Sequence, residues 1–371
     1  MTWPAVEVNQ LNLMQGETKE VERRYLFIGN APKNKGKIIS VDTTTNFDDV
    51  LGVADSALKR GLIAAMTNAG SGWFASVGVL NTDQDWIDVV QAAQSIGSFE
   101  TVVYAENVNS KEDINKAVNQ RALLMAKFAR WTRFILGVEG LQAKETWSGY
   151  ESRLAALQSG IAEYGVTLVP MIYGNEPFVN AGRGCNRSVS IADTLARVQT
   201  GAVKDLGRDN KPLDADGVEL PLSTLKTLES NRYSVPMWYP ALDGMYWADD
   251  RTLDAEGGDY QSAETVRVVD KVARKILLKG IAKIGDRSFN SSIISIKANQ
   301  SYFLGDLREM AKASQINGIQ FPGEVKTPQD GDITITWINN KTVQIYVVVR
   351  VTDIPLKITI NIMINNDIET E

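Results

Sequence analysis

Residues 356–365 read Leu-Lys-Ile-Thr-Ile-Asn-Ile-Met-Ile-Asn. Every second residue of this stretch is aliphatic: Leu356, Ile358, Ile360, Ile362 and Ile364. An apolar residue at every second position is typical of a strand with one buried face, and isoleucine and threonine favour strands. The sequence therefore predicts a long β-strand that needs a partner edge.

Two partners are open for this strand. It can close a sheet of its own domain, or it can add to a sheet in another copy of the chain. We predict the second, with residues 352–371 as a C-terminal β-strand arm. Residues 1–24 are a candidate N-terminal arm, because Val6 and Val8 alternate with polar residues outside any obvious core. Pairing of the two terminal segments with each other is the alternative.

Composition limits the class of protein. The chain has 371 residues, is 44% hydrophobic and 23% charged, and carries a net charge of -6. These values indicate a soluble protein of two or three domains and argue against broad nucleic-acid binding. Cys185 is the single cysteine, which excludes an intrachain disulfide and fits synthesis in a reducing cytoplasm. We expect no membrane insertion and no signal peptide.

The sequence offers little for catalysis or metal binding. It contains no histidine, which excludes the common serine and cysteine hydrolase triads and zinc sites with histidine ligands. We expect no cofactor, no metal and no catalytic residue. A dense carboxylate group leaves three interpretations open: acid–base catalysis on carbohydrate, metal binding, or a structural or interface role, which we favour. Its members, beside Tyr246 and Trp247, are Asp243, Asp249, Asp250, Asp254, Glu256 and Asp259.

Between the arms, strands alternate with helices, which is typical of βαβ units. We predict a mixed, mostly parallel α/β domain at residues 25–221, ended by a polar linker at 207–221, and an α+β domain at residues 222–351. The predicted strands are 25–28, 37–41, 73–80, 101–104, 133–138 and 166–172, and the predicted helices are 54–68, 85–94, 111–129, 148–164 and 191–204. In the second domain we predict a helix at 262–284, an extended segment at 292–298, a helix at 304–313, and a hairpin of strands 332–337 and 342–351.

The helix at 262–284 separates charge from apolar residues. Its apolar residues, including Val266, Val269 and Ile276, cluster on one side at 100° per residue. The opposite arc carries Arg267, Lys271, Arg274, Lys275, Lys279 and Lys283. This arc is either a solvated face or a dock for an acidic partner.

Three stretches carry a resemblance to a known family. The first is Tyr25-Leu-Phe-Ile-Gly-Asn-Ala-Pro-Lys33, followed by the segment from Val41 to Gly52. The second runs from Tyr239 to Leu253 and ends in Asp-Asp-Arg-Thr-Leu; the third is the alternating strand quoted above. Together they resemble a bacteriophage contractile tail sheath protein of the compact, Mu-like type.

The resemblance implies a structural subunit rather than an enzyme. Copies would stack as six-fold rings around a tail tube, linked by the arms at Val6, Val8 and the five aliphatic residues, and would contract to drive the tube through the host envelope. The basic arc would face the tube. The implied partners include the tail tube, baseplate and tail terminator proteins, in a virion tail assembled in the host bacterial cytoplasm. The alternatives are a sheath of a contractile bacteriocin or secretion system, and a carbohydrate-active hydrolase using residues 249–259.

Overall fold

A computed structural model describes residues 21–362. Its first part is built on six strands: β1 (Tyr25–Gly29), β2 (Ile38–Asp42), β3 (Phe74–Val79), β4 (Thr101–Val108), β5 (Arg133–Val138) and β6 (Val166–Pro170). They form one sheet in the order β2-β3-β1-β4-β5-β6, in which every pair is parallel except β2 with β3. All residues of β1, β5 and β6 are buried, which is typical of a parallel sheet covered on both faces.

The helices of this part begin where the sequence supplies capping residues. Ser56, Asp85, Ser110 and Thr146 each accept a hydrogen bond from a backbone N–H in the first turn of the helix that follows. The helices are α1 (Phe47–Leu51), α2 (Ala57–Ala69), α3 (Trp86–Ala93), α4 (Lys111–Phe128), α5 (Trp147–Gln158), α6 (Glu176–Cys185) and α7 (Leu222–Ser230).

Helix α6 was not predicted, because Gly182 and Gly184 weaken its helical composition. Packing explains the first glycine: a Cβ on Gly182 would lie 2.4 Å from the carbonyl oxygen of Ala65, so α2 and α6 could not approach as closely. The helix predicted at 191–204 is wrong. That segment consists of turns with one short 3-10 helix at Val198–Thr200.

The described residues also contain two long helices, α8 (Ala263–Ala282) and α9 (Ile293–Met310), and three two-stranded sheets. These sheets pair β7 (Val235–Tyr239) with β8 (Leu242–Asp249), β9 (Ser314–Ile316) with β10 (Ile319–Phe321), and β11 (Ile333–Asn339) with β12 (Thr342–Val347). The extended segment predicted at 292–298 is helical instead, and Ser292 caps it by accepting a bond from the N–H of Ser295. The β11–β12 hairpin was predicted.

Two hydrophobic cores divide the chain. The first runs in sequence from Tyr25 to Leu253 and includes Tyr233 and Trp247; the second runs from Val268 to Ile335. In sequence, the first core ends at Leu253 and the second begins at Val268, whereas the predicted boundary lies near residue 221. Helix α7 and strands β7 and β8 contribute buried side chains to the first core. The predicted fold class, a mostly parallel α/β part followed by a C-terminal α+β part, is confirmed. Among the helices of residues 21–362, none has the length and apolarity to cross a membrane.

Candidate assembly surfaces

The hairpin β11–β12 is an open sheet. Ile333 and Ile335 point into the second core, whereas the alternate residues Thr334 and Thr336 are exposed. Within residues 21–362, no further strand pairs with the outer edge of β11 or of β12. Such an edge presents unpaired N–H and C=O groups and is a ready template for another strand.

The tail that follows the hairpin exposes apolar side chains that no strand covers within residues 21–362. From residue 352 to residue 362 it forms no strand, and Ile358, Ile360 and Ile362 are 74%, 79% and 89% exposed, with Leu356 at 55%. The tail up to Ile362 therefore does not close a sheet of its own domain. Ile364, Val6 and Val8 lie outside the described residues.

An apolar groove begins at the root of this tail. Its volume is about 820 Å³. Residues 190–199 line one side, Met237, Tyr239 and Ala248 line another, and the tail residues Thr352 to Ile358 run along it. The sequence analysis missed this surface, because it expected residues 191–204 to form a helix.

Helix α8 does not expose its basic arc as predicted. Arg267 and Arg274 are only 4% and 6% exposed. Arg267 donates to Glu100 through Nε at 2.5 Å and through Nη2 at 3.1 Å. Arg274 Nη2 donates to Glu22 at 2.9 Å. The expectation of an outward-facing arc is wrong for these two arginines, because both meet carboxylates at the amino-terminal end of the six-stranded sheet, where Glu22 precedes β1 and Glu100 precedes β4.

The four lysines of the arc have mixed surroundings. Lys271 Nζ lies 2.8 Å from Glu324, Lys279 Nζ lies 3.1 Å from Asp306, and Lys283 Nζ lies 2.9 Å from Asp286. All three lysines, and Lys275, are half-buried. Carboxylates of the same subunit therefore already balance most of the positive charge of the arc.

The far end of α8 is exposed and apolar. Leu278, Ile281 and Ile284 are 57%, 55% and 81% exposed, and Ile293 and Ile294 at the start of α9 are 78% and 84% exposed. Several large aliphatic side chains exposed together mark an interaction site more often than a plain surface. Sequence analysis missed Ile293 and Ile294 by assigning them to an extended segment; the spacing Ser292-x-x-Ser295 was the signal for a helix start.

The acidic group is structural where it is buried. Asp250 accepts hydrogen bonds from Asn180 Nδ2 at 2.9 Å, Ser234 Oγ at 3.1 Å and Arg133 Nη2 at 3.4 Å. Burial, with the neighbouring charge of Asp250, raises the pKa of Asp249, and burial with the charge of Asp249 raises the pKa of Glu264. Across residues 21–362, histidine, cysteine, aspartate and glutamate nowhere form a group of three able to hold a metal.

Comparison with known sequences decides the family. Residues 3–251 match the DUF2586 N-terminal domain, and residues 259–367 match the DUF2586 C-terminal domain. A protein of Haemophilus phage HP1 (strain HP1c1), named "Putative tail sheath protein", is 48% identical over 371 residues, which are 98% of this chain and 99% of that protein. The chain belongs to the DUF2586 family of phage tail sheath proteins.

Solved structures share the fold of this sheath family member. A chain from the cryo-EM structure of the anti-feeding prophage baseplate in the contracted state matches with a TM-score of 0.53 at 14% identity, and the match covers 100% of both chains. The sheath tail protein Lin1278 from Listeria innocua matches with a TM-score of 0.53 at 10% identity, over 91% of this chain and 94% of that one. The resemblance to phage tail sheath proteins seen in the sequence is confirmed, and the protein is a structural protein of the phage tail sheath type.

Proposed function

We propose that this protein polymerises as stacked six-fold rings around a phage tail tube and contracts to drive the tube through the host envelope. The observation that carries the proposal is a mismatch within one subunit. Within residues 21–362, neither outer edge of the hairpin β11–β12 has a partner strand, and the tail that follows it has an alternating row of exposed isoleucines without one. The tail of one copy can therefore add as a strand to the hairpin edge of a different copy.

Strand addition explains how such a polymer stays joined while it rearranges. Main-chain hydrogen bonds hold an added strand firmly with little dependence on its sequence. The tail leaves its domain through residues 352–355, which form no helix or strand, so the bodies can turn while the paired arm stays in place. The predicted N-terminal arm, with Val6 and Val8, supplies a candidate strand for the second open edge.

Electron microscopy of the purified protein tests this proposal. We expect hollow cylinders with rings of six subunits, in an extended or a contracted form. Discrete particles at concentrations up to the solubility limit would contradict it. The same geometry also suits a sheath of a bacteriocin or a secretion system. The tail tube, baseplate and tail terminator proteins are the proposed partners.

We further propose that the tube-facing surface is the free end of α8 rather than the whole predicted arc. Lys275, Lys279 and Lys283 retain the proposed role, beside the exposed Leu278 and Ile281. Arg267 and Arg274 leave the set because they are buried, and Lys271 leaves it because it lies between them in the chain, away from the exposed end of α8. Lys279 and Lys283 stay in the set although each also has a carboxylate partner, Asp306 and Asp286. Surface ion pairs contribute about 0–1 kcal/mol each, which suits contacts that break during contraction, and many copies along a tail add up to firm attachment.

A charge-reversal series tests the tube contact. Changing Lys275, Lys279 and Lys283 to Glu should abolish binding to purified tubes while tube-free cylinders still form. The matched control changes Lys35, Lys226 and Lys312, three exposed lysines elsewhere, to Glu and alters the net charge equally. Raised salt should weaken tube binding by the wild type through screening. Equal tube binding by the two triple variants would remove this surface from the proposal.

A further inference from the structure

Helix α8 touches the bases of both terminal arms. We define the N-terminal root as residues 21–24, and the C-terminal root as residues 323–326 together with residues 350–353. Three charged residues of α8 are connected to these roots: Arg274 and Lys271 bond to root residues directly, and Arg267 bonds to Glu100, which also accepts the Arg23 N–H. They follow one another at four and three positions, so they share one face of the helix within about 10.5 Å along its axis.

Two of these residues hold the N-terminal root. Arg274 Nη2 donates to the Glu22 carboxylate at 2.9 Å, and both side chains are more than nine-tenths buried. The backbone N–H of Arg23 donates to Oε2 of the Glu100 carboxylate, and Arg267 donates to both oxygens of the same carboxylate. Val21 is buried as well, at 4% exposure. The chain is therefore fixed on α8 at residues 21–24, the last four residues of the predicted N-terminal arm.

The third residue holds the C-terminal root. Lys271 Nζ lies 2.8 Å from both carboxylate oxygens of Glu324. The next residue, Val325, forms an antiparallel bridge with Val351, and the N–H of Lys326 donates to the carbonyl of Arg350 at 2.7 Å. Residue 352, where the predicted C-terminal arm begins, follows directly. The two roots, distant in sequence, are thus bonded to neighbouring turns of one helix.

We infer that α8 is a shared anchor that transmits tension from one terminal arm to the other. This inference rests on the proposed function, in which each arm is held by a different copy of the chain. A regular helix resists extension through its own hydrogen bonds, whereas a path through loops lengthens by backbone rotation. A pull on one arm therefore reaches the other through Arg274 and Lys271 before it deforms either hydrophobic core. Arg267, Lys271 and Arg274 are positioning residues of the arms.

Hydrogen exchange on the soluble full-length chain tests the anchor. The variant Glu324→Ala removes the bond at the C-terminal root, and the amides of Arg23 and Arg24 at the N-terminal root should then exchange roughly tenfold faster. In the reverse direction, Glu22→Ala should accelerate exchange of the Lys326 amide. Amides of β4 and β5 should keep their protection, which shows that the variants are folded.

Asp306→Ala is the matched control. It removes the pair between Lys279 of α8 and Asp306 of α9, in which each side chain is 20% exposed, against 21% for Lys271 and Glu324. We expect no change at either root in this variant. Acceleration confined to the mutated root, or an equal effect of Asp306→Ala at the N-terminal root, would overturn the inference.

The exchange measurement is independent of polymerisation. If the wild type forms no cylinders, the proposed function fails while the coupling between the roots can still be present. If cylinders form and the roots respond separately, the anchor fails while the proposed function stands.

Discussion

The six-stranded sheet and the β11–β12 hairpin differ in how completely each satisfies its own backbone. The sheet is covered on both faces, and its four inner strands β3, β1, β4 and β5 are paired on both sides. The hairpin is covered on one face and open at both edges within residues 21–362. The difference separates a region whose contacts stabilise the subunit from a region whose contacts are available for assembly. Substitutions in the first should change stability, and substitutions in the second should change polymerisation alone.

The largest effect is expected where α8 docks on the closed region. Arg267→Met leaves the Glu100 carboxylate buried without its guanidinium partner, and breaking a buried pair in this way costs about 3–5 kcal/mol. Chemical denaturation followed by circular dichroism measures the loss. Lys312→Met removes the exposed pair with Glu309 and should leave the unfolding midpoint unchanged. A wild-type midpoint for Arg267→Met would show that α8 is not a stabilising part of the closed region.

A pH dependence of stability should come from Glu264, which is buried with Oε2 lacking a hydrogen-bond partner. Burial and the charge of Asp249 raise its pKa from 4.5 to about 8. Because the folded pKa is the higher one, the stabilising contribution is complete below pH 4.5 and is lost as pH rises through 8. The wild type should therefore lose more stability between pH 5 and pH 9 than Glu264→Gln, by on the order of 2 kcal/mol. Equal losses in the two proteins would contradict this assignment.

The smallest effect on stability is expected in the open region. Ile358 and Ile360 are 74% and 79% exposed, so changing both to Thr removes almost no buried apolar surface from the subunit. Thermal unfolding should be unchanged, whereas the protein concentration needed for cylinders should rise, because the strand loses the apolar face it would bury in a neighbour. A lowered unfolding temperature would place these side chains in the subunit's own core.

The sequence predicted the parts of the fold that local patterns control. Alternation and apolar runs identified all six strands of the large sheet and the two strands of the β11–β12 hairpin. Helix α6 escaped because Gly182 is required by contact with Ala65, a tertiary constraint that outweighs helix propensity. The prediction that the basic arc is exposed failed for a related reason. Periodicity assigns charged residues to solvent, whereas Arg267 and Arg274 are buried beside Glu100 and Glu22, which come from distant parts of the chain.

The C-terminal tail shows a second limit of prediction from one sequence. The alternation at Leu356–Ile362 predicts side chains that need a partner strand, and within residues 21–362 no strand pairs with them. The candidate surface therefore emerges only when the open edges of β11 and β12 and the exposed tail are considered together.

Removal of residues 352–371 tests the central claim most directly, when unfolding and electron microscopy are measured on the same sample. We predict a soluble subunit that unfolds at the temperature of the full-length protein and forms no cylinders under conditions in which the full-length protein does. Cylinders built from the truncated protein, or a truncated subunit that fails to fold, would contradict the claim that this tail serves assembly rather than the core of its own subunit.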